Sequence, residues 1–171
     1  MDREQGLLRG SLAVIRIALF VDWLLLLAVS IGLIVSGVMG ERLTAALIGP
    51  TADPSATTIG TRLILAVGVV MAVAILALLR ALRELVESVR AGDPFIAANA
   101  GRLRRIGWSL LLLQLLDIPC ALVARYIPSL RDAVSPGSIS LGGWMAVLMA
   151  FVLASVFAAG TLMRDELEGT I

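Results

Sequence analysis

The sequence predicts an all-α integral membrane protein: a four-transmembrane-helix bundle with both termini cytosolic and a helical hairpin at the cytosolic interface. Three observations carry this. Hydrophobic residues fill 59% of the 171 positions and the mean hydropathy is +0.98, too apolar for an ordinary soluble domain. Four segments, 17–39, 63–79, 106–124 and 141–163, come close to or exceed the ~20 apolar residues that cross a hydrocarbon core. The arginines are spread unevenly around them. The length suits one membrane domain over 1–171, with a helical linker over 80–105.

The first span, Ile17 to Met39, is interrupted only by Asp22. Its apolar run exceeds a signal-peptide core and no convincing Ala-x-Ala site follows, so a retained helix is expected. The second, Leu63 to Leu79, is short and bracketed by Arg62 and Arg80. The third, Ile106 to Ala124, is bracketed by Arg105 and Arg125 and contains Asp117; the fourth runs from Leu141 to Met163. All 14 basic residues are arginine. Ten lie in the N-terminal segment, the linker and the C-terminal tail; Arg42, Arg62, Arg125 and Arg131 lie on the other side. The positive-inside rule therefore puts both termini in the cytosol. Trp23, Trp108 and Trp144 stand near span ends, as interfacial anchors do. Between spans one and two, Glu41 to Ile48 reads as a short interfacial helix, and Gly49-Pro50 and Asp53-Pro54 read as turns.

Helices in lipid associate through close packing, which small residues allow. Ala28, Gly32, Ser36 and Gly40 recur at four-residue spacing in span one. Gly142, Ala146, Ala150, Ala154 and Ala158 do so in span four. Packing within the bundle and a homo-oligomer contact are both open to these stripes.

The chain has no histidine, and Cys120 is its only cysteine. The commonest acid–base group and metal ligand is missing, an intrachain disulfide is excluded, and a thiolate-based zinc or iron–sulfur site has no support. No Gly-rich phosphate loop and no nucleic-acid-binding module is present. The expectation is no enzyme, no cofactor, no metal and no direct nucleic acid binding. Asp22 and Asp117 are carboxylates inside spans, with Gln114 three residues before Asp117 on the same face. Neither aspartate has the neighbouring glycine of an intramembrane aspartyl protease. They are read as structural polar groups. The alternative is a subunit of a small transporter or channel that uses them.

The linker carries the densest polar pattern. Span two continues as an amphipathic helix in which Glu87 can pair with Arg83 or Arg90. Gly92 stops it. Asp93 as cap and Pro94 as first helical residue restart it. Phe95, Asn99, Arg102 and Ile106 then share one stripe, at steps of four, three and four. Arg104 and Arg105 point elsewhere, towards lipid headgroups. In the tail, Glu166 or Glu168 is the expected partner of Arg102. Asp93, Pro94, Phe95, Asn99, Arg102, Glu166 and Glu168 thus form the candidate interaction site.

Gly92-Asp93-Pro94-Phe95, Asn99 and Arg102-Leu103-Arg104-Arg105-Ile106-Gly107-Trp108, together with the ending Phe157 to Ile171, resemble the two signatures of a bacterial membrane protein family, the domain of unknown function 2975. The resemblance covers nearly the whole chain. It implies four membrane helices and the inner membrane of a bacterium. It also implies a genomic neighbour, since such proteins are often encoded beside a small Xre-type helix-turn-helix regulator. No activity is established for the family, so it implies no catalytic residue. The function expected is regulatory or accessory, with a soluble partner, a helix-turn-helix regulator first among candidates, docked at the cytosolic face.

Overall fold

The computed structural model describes residues 2–92, 96–132 and 140–168, with side chains from Arg9 to Arg164. The described residues form five α-helices: α1 Asp2–Met39, α2 Glu41–Ile48, α3 Pro54–Arg90, α4 Ala97–Tyr126 and α5 Leu141–Glu168. A 3-10 turn occupies Pro128–Leu130, and no strand occurs among the described residues. Four helices, α1, α3, α4 and α5, are long and apolar enough to cross a membrane. The protein is an all-α, multi-pass membrane protein.

The physical reason is that hydrocarbon supplies no partner for a backbone amide, so each crossing segment must satisfy its own hydrogen bonds. The side chains follow the same logic. Phe20, Ile34 and Leu148 are each about two-thirds exposed, which is tolerable only where lipid meets them. At ~1.5 Å per residue, α1 and α3 are each roughly 55 Å long, well beyond the ~30 Å of a hydrocarbon core. Their ends therefore project past it.

The helix ends show how sequence sets these lengths. Helix α3 begins at Pro54, before the start expected from hydropathy alone. The Asp53-Pro54 pair, which reads as a turn in the sequence, is a helix cap: Asp53 Oδ1 accepts from the Ala56 amide at 3.0 Å and from Ser55 Oγ at 2.8 Å. The Ala56 amide, and then the Ser55 hydroxyl, hold the Asp53 carboxyl below its ordinary pKa. The cap is thus intact above that ordinary value and is lost as pH falls through the lowered one. At the other joint, Gly40 takes φ +50 between α1 and α2, a conformation that costs a side chain. There the Ser36 carbonyl of α1 receives both Nε and Nη2 of Arg62, at 3.2 and 2.7 Å. A cation on the last carbonyls is the favourable end of the helix dipole.

The helices fall into two compact units, Met1–Val21 with Ile75–Leu111 and Leu141–Ile171, and Asp22–Ala74 with Leu112–Ser140. In the second unit, α1 and α3 meet through reciprocal small residues. A methyl built on Gly32 would touch Leu65 at 3.5 Å, and one on Gly68 would touch Val29 at 3.2 Å. Gly60 is tight: a Cβ there would lie 2.5 Å from both Ile127 and Leu130. In the first unit, α5 buries Val147, Ala150, Ala154 and Thr161; Ala150 and Ala154 belong to the Gly142–Ala158 series, whose Gly142 and Ala146 are exposed. Phe151 seats its ring on Gly107 and meets Trp108 edge-on, centroids 5.4 Å apart.

Replacing Gly60 by valine (Gly60→Val) is expected to destabilise the protein by about 1–3 kcal/mol through overpacking, read as a lowered unfolding midpoint in detergent. Gly37, with nothing within 4 Å of its Cβ position, is the control: Gly37→Val should leave the midpoint close to wild type.

Candidate functional site

The candidate site lies where α3 turns into α4, within the first unit. Helix α3 ends at Arg90, and Gly92 follows at φ +88. The Ala91 amide bonds the Glu87 carbonyl at 3.0 Å and the Gly92 amide bonds that of Val89 at 3.1 Å. These bonds satisfy carbonyls that the helix end would otherwise leave open. Helix α4 is described from Ala97, and its first turn is closed by the Asn99 amide on the Ile96 carbonyl at 2.9 Å. Asp93, Pro94 and Phe95 lie outside the described residues.

Asn99 is fully buried, and a buried amide must have its hydrogen bonds met. Its Nδ2 donates to Ser88 Oγ at 2.7 Å, across to α3. Ser88 in turn donates its only proton to the Leu85 carbonyl at 2.7 Å, which leaves its lone pairs to accept. On the other side of the amide, Asn99 Oδ1 accepts from Arg102 Nη1 at 2.6 Å. Arg102 Nε then donates to Glu84 Oε2 at 3.1 Å, back on α3. The same carboxylate oxygen lies 3.9 Å from Arg105 Nη1. The result is a continuous polar chain, Leu85–Ser88–Asn99–Arg102–Glu84, that laces the two helices together.

The spacings explain why these residues meet. Glu84 and Ser88 are one turn apart on α3, and Asn99 and Arg102 one turn apart on α4. Antiparallel helices in this register put Ser88 opposite Asn99 and Glu84 opposite Arg102. Ala81 of α3 and Ala100 and Leu103 of α4, in the same unit, are buried. The Arg102 side chain is about one-fifth exposed, so its pairing with Glu84 is less screened than an open surface pair. Next to this chain, Arg83 and Glu87 pair along α3 at 2.8 Å, with both side chains more than two-fifths exposed; such a pair is worth little.

Of the residues expected from sequence, the structure thus brings Asn99 and Arg102 together. It adds Ser88 and Glu84, which sequence reasoning passed over. The signal for them was present: a serine and a glutamate four apart on the polar side of an amphipathic helix. Described side chains end at Arg164, so Glu166 and Glu168 are placed only as backbone of α5. The Arg102 partners in the described residues are Asn99 and Glu84.

Inside the spans, Asp22 is buried and neither carboxylate oxygen has a hydrogen-bond partner among the described residues. Asp117 is half-buried. Gln114, spaced to meet it, donates its side-chain amide instead to the Ser140 carbonyl at 3.4 Å. A wholly different polar cluster surrounds the start of α3. Thr44 bonds Thr58 at 2.8 Å, tying α2 to α3, and Thr57 bonds Ser129 at 2.9 Å, tying the 3-10 turn to α3. An apolar cavity of about 230 Å³ lies between α3 and α4 in the second unit, lined by Leu63, Ile64, Val67, Pro119, Cys120, Leu122 and Val123. Among the described residues no group of three or more acidic or cysteine side chains could hold a metal ion.

Removing the Asn99 amide (Asn99→Ala) leaves Ser88 and Arg102 without it and is expected to cost about 1–3 kcal/mol. Hydrogen exchange should quicken across residues 84–92 and 96–105, while the Thr57–Ser129 region keeps its protection.

The model of one family matches residues 41–171: Protein of unknown function (DUF2975). The match takes in more than half of the chain, the whole α3–α4 hairpin included, and the chain belongs to this family. No curated protein and no solved structure shows significant similarity to it.

Proposed function

With membership of that family as the premise, we propose that the protein is a regulatory or accessory component of the bacterial inner membrane whose α3–α4 end faces the cytosol and docks a soluble partner. The observation that supports this most is the buried Ser88–Asn99–Arg102–Glu84 chain. A turn that served only as a connection would need no buried asparagine. Here one holds the end of α3 against the start of α4, so that Arg90, Ala91, Gly92, Ala97, Ala98 and Arg104, all exposed, are presented on a braced frame. Preorganisation of this kind lowers the entropy lost on binding.

Orientation rests on charge. Ten arginines fall with the two termini and the 80–105 segment, against four on the opposite side. Both termini are accordingly assigned to the cytosol. The partner proposed is a small DNA-binding protein of the helix-turn-helix type, with this chain contributing no nucleic acid contact, catalysis or cofactor. Association with a second copy through the small residues left exposed on α1 and α5, such as Ala28 and Ala146, is compatible with it.

A second reading has its own support. A carboxylate as buried as Asp22, with neither oxygen bonded among the described residues, is costly in a membrane span and is a mark of ion or proton pathways. Under that reading the protein is a subunit of a small transporter or channel.

The two separate cleanly. With the protein in nanodiscs and the product of an adjacent regulator gene as ligand, Asn99→Ala/Arg102→Gln should weaken binding about tenfold or more, the scale of losing a braced polar contact. Asp22→Asn should leave it unchanged. Absence of binding to the wild-type protein, or sensitivity to Asp22→Asn alone, would overturn the docking reading.

A further inference from the structure

We infer that Arg80 and Arg105 form a binding site for the phosphate headgroup of an anionic phospholipid, with Trp108 as its apolar floor. The inference stands apart from partner docking and uses the register of the hairpin. Ser88 faces Asn99, and one turn along Glu84 faces Arg102. Because the helices are antiparallel, one further turn brings Arg80 of α3 level with Arg105 of α4. Arg105 is already drawn to this flank by Glu84, 3.9 Å away. Glu84 gives its nearer contact to Arg102 at 3.1 Å, so a single carboxylate is shared by two guanidiniums. Positive charge is left over, and it is accessible: Arg80 is exposed and the Arg105 side chain is 57% exposed.

Depth identifies the anion. From Arg62 to Arg80 α3 rises about 27 Å, and from Arg105 to Arg125 α4 rises about 30 Å, at ~1.5 Å per residue. Both match the ~30 Å hydrocarbon thickness, so Arg80 and Arg105 stand at one headgroup plane. One turn deeper on α4, Trp108 is 59% exposed and held by the ring of Phe151. An indole at this depth suits the boundary between headgroup and acyl chain, and a soluble anion would have no use for it. The guanidinium fork suits phosphate oxygens, which it can bind in pairs.

The full chain in detergent, mixed with phosphatidylglycerol or phosphatidylcholine and weighed by native mass spectrometry, tests the site. The wild type should retain phosphatidylglycerol in preference. Arg80→Gln/Arg105→Gln should lower that preference about tenfold, with phosphatidylcholine retention and helix content unchanged. Arg90→Gln, further out along α3, should keep it. If the double variant loses helix content, Arg105→Gln alone must still weaken retention of phosphatidylglycerol. Equal retention of both lipids by the wild type overturns the proposal, as does an undiminished preference in a folded variant. Release of phosphatidylglycerol by millimolar inorganic phosphate overturns it too, by making the pair a site for soluble anions. None of these results touches docking at the Asn99–Arg102 chain, which is read by protein binding.

Discussion

Hydrocarbon offers no hydrogen-bond partner, and the rest of this structure depends on that constraint. It makes each crossing segment a helix and turns the large apolar side chains outward. It also collects the polar contacts at the places where helices begin and end. The long polar-to-polar ties observed, Arg62 to the Ser36 carbonyl, Thr57 to Ser129 and Asn99 to Ser88, all lie near such places. Within the spans, association is left to small residues: Gly32 against Leu65, Gly68 against Val29, Gly107 against Phe151.

Along α3, the two ends are held by different chemistry. Its start is capped by Asp53 and tied to α2 and to the 3-10 turn by the neutral hydroxyls of Thr44, Thr57, Thr58 and Ser129. Its end is knit by an amide and an ion pair, Asn99 and Arg102 with Glu84. Hydroxyl pairs fix a loop without inviting a charged partner. A guanidinium network with surplus positive charge does the opposite, which is why both the docking reading and the lipid site are placed there.

Much of this was legible in the sequence. Long apolar runs and bracketing arginines marked all four crossing helices, and Glu41 to Ile48 was readable as a short helix. Gly92 as a helix stop and Asn99 with Arg102 on one face were readable from spacing. What escaped was of two kinds. Asp53-Pro54 and Asp93-Pro94 are the same signal, but the first sits in a stretch rich in Gly, Pro, Ser and Thr and so reads as a turn. The structure shows a cap there, because a cap depends on which amides follow it and not on local composition. Ser88 and Glu84 escaped because a polar residue on an amphipathic helix is ordinarily solvated; only the hairpin register decides that these two face α4. The stripe on α5 was legible in part: Ala150 and Ala154 are buried as their spacing implies, while Gly142 and Ala146 are exposed, Val147 is buried and Phe151 packs on Gly107.

The claim on which the account rests is that the α3–α4 end is one coupled polar unit. A double-mutant cycle between Glu84→Gln and Arg102→Gln measures this directly, from unfolding free energies of the full chain in a defined detergent. With Glu84 more than two-fifths exposed, the coupling expected is about 0.5–1 kcal/mol, and it should shrink when Asn99→Ala is added to both arms. Strictly additive losses, with or without Asn99, would contradict the account and leave the hairpin as two helices that happen to lie side by side.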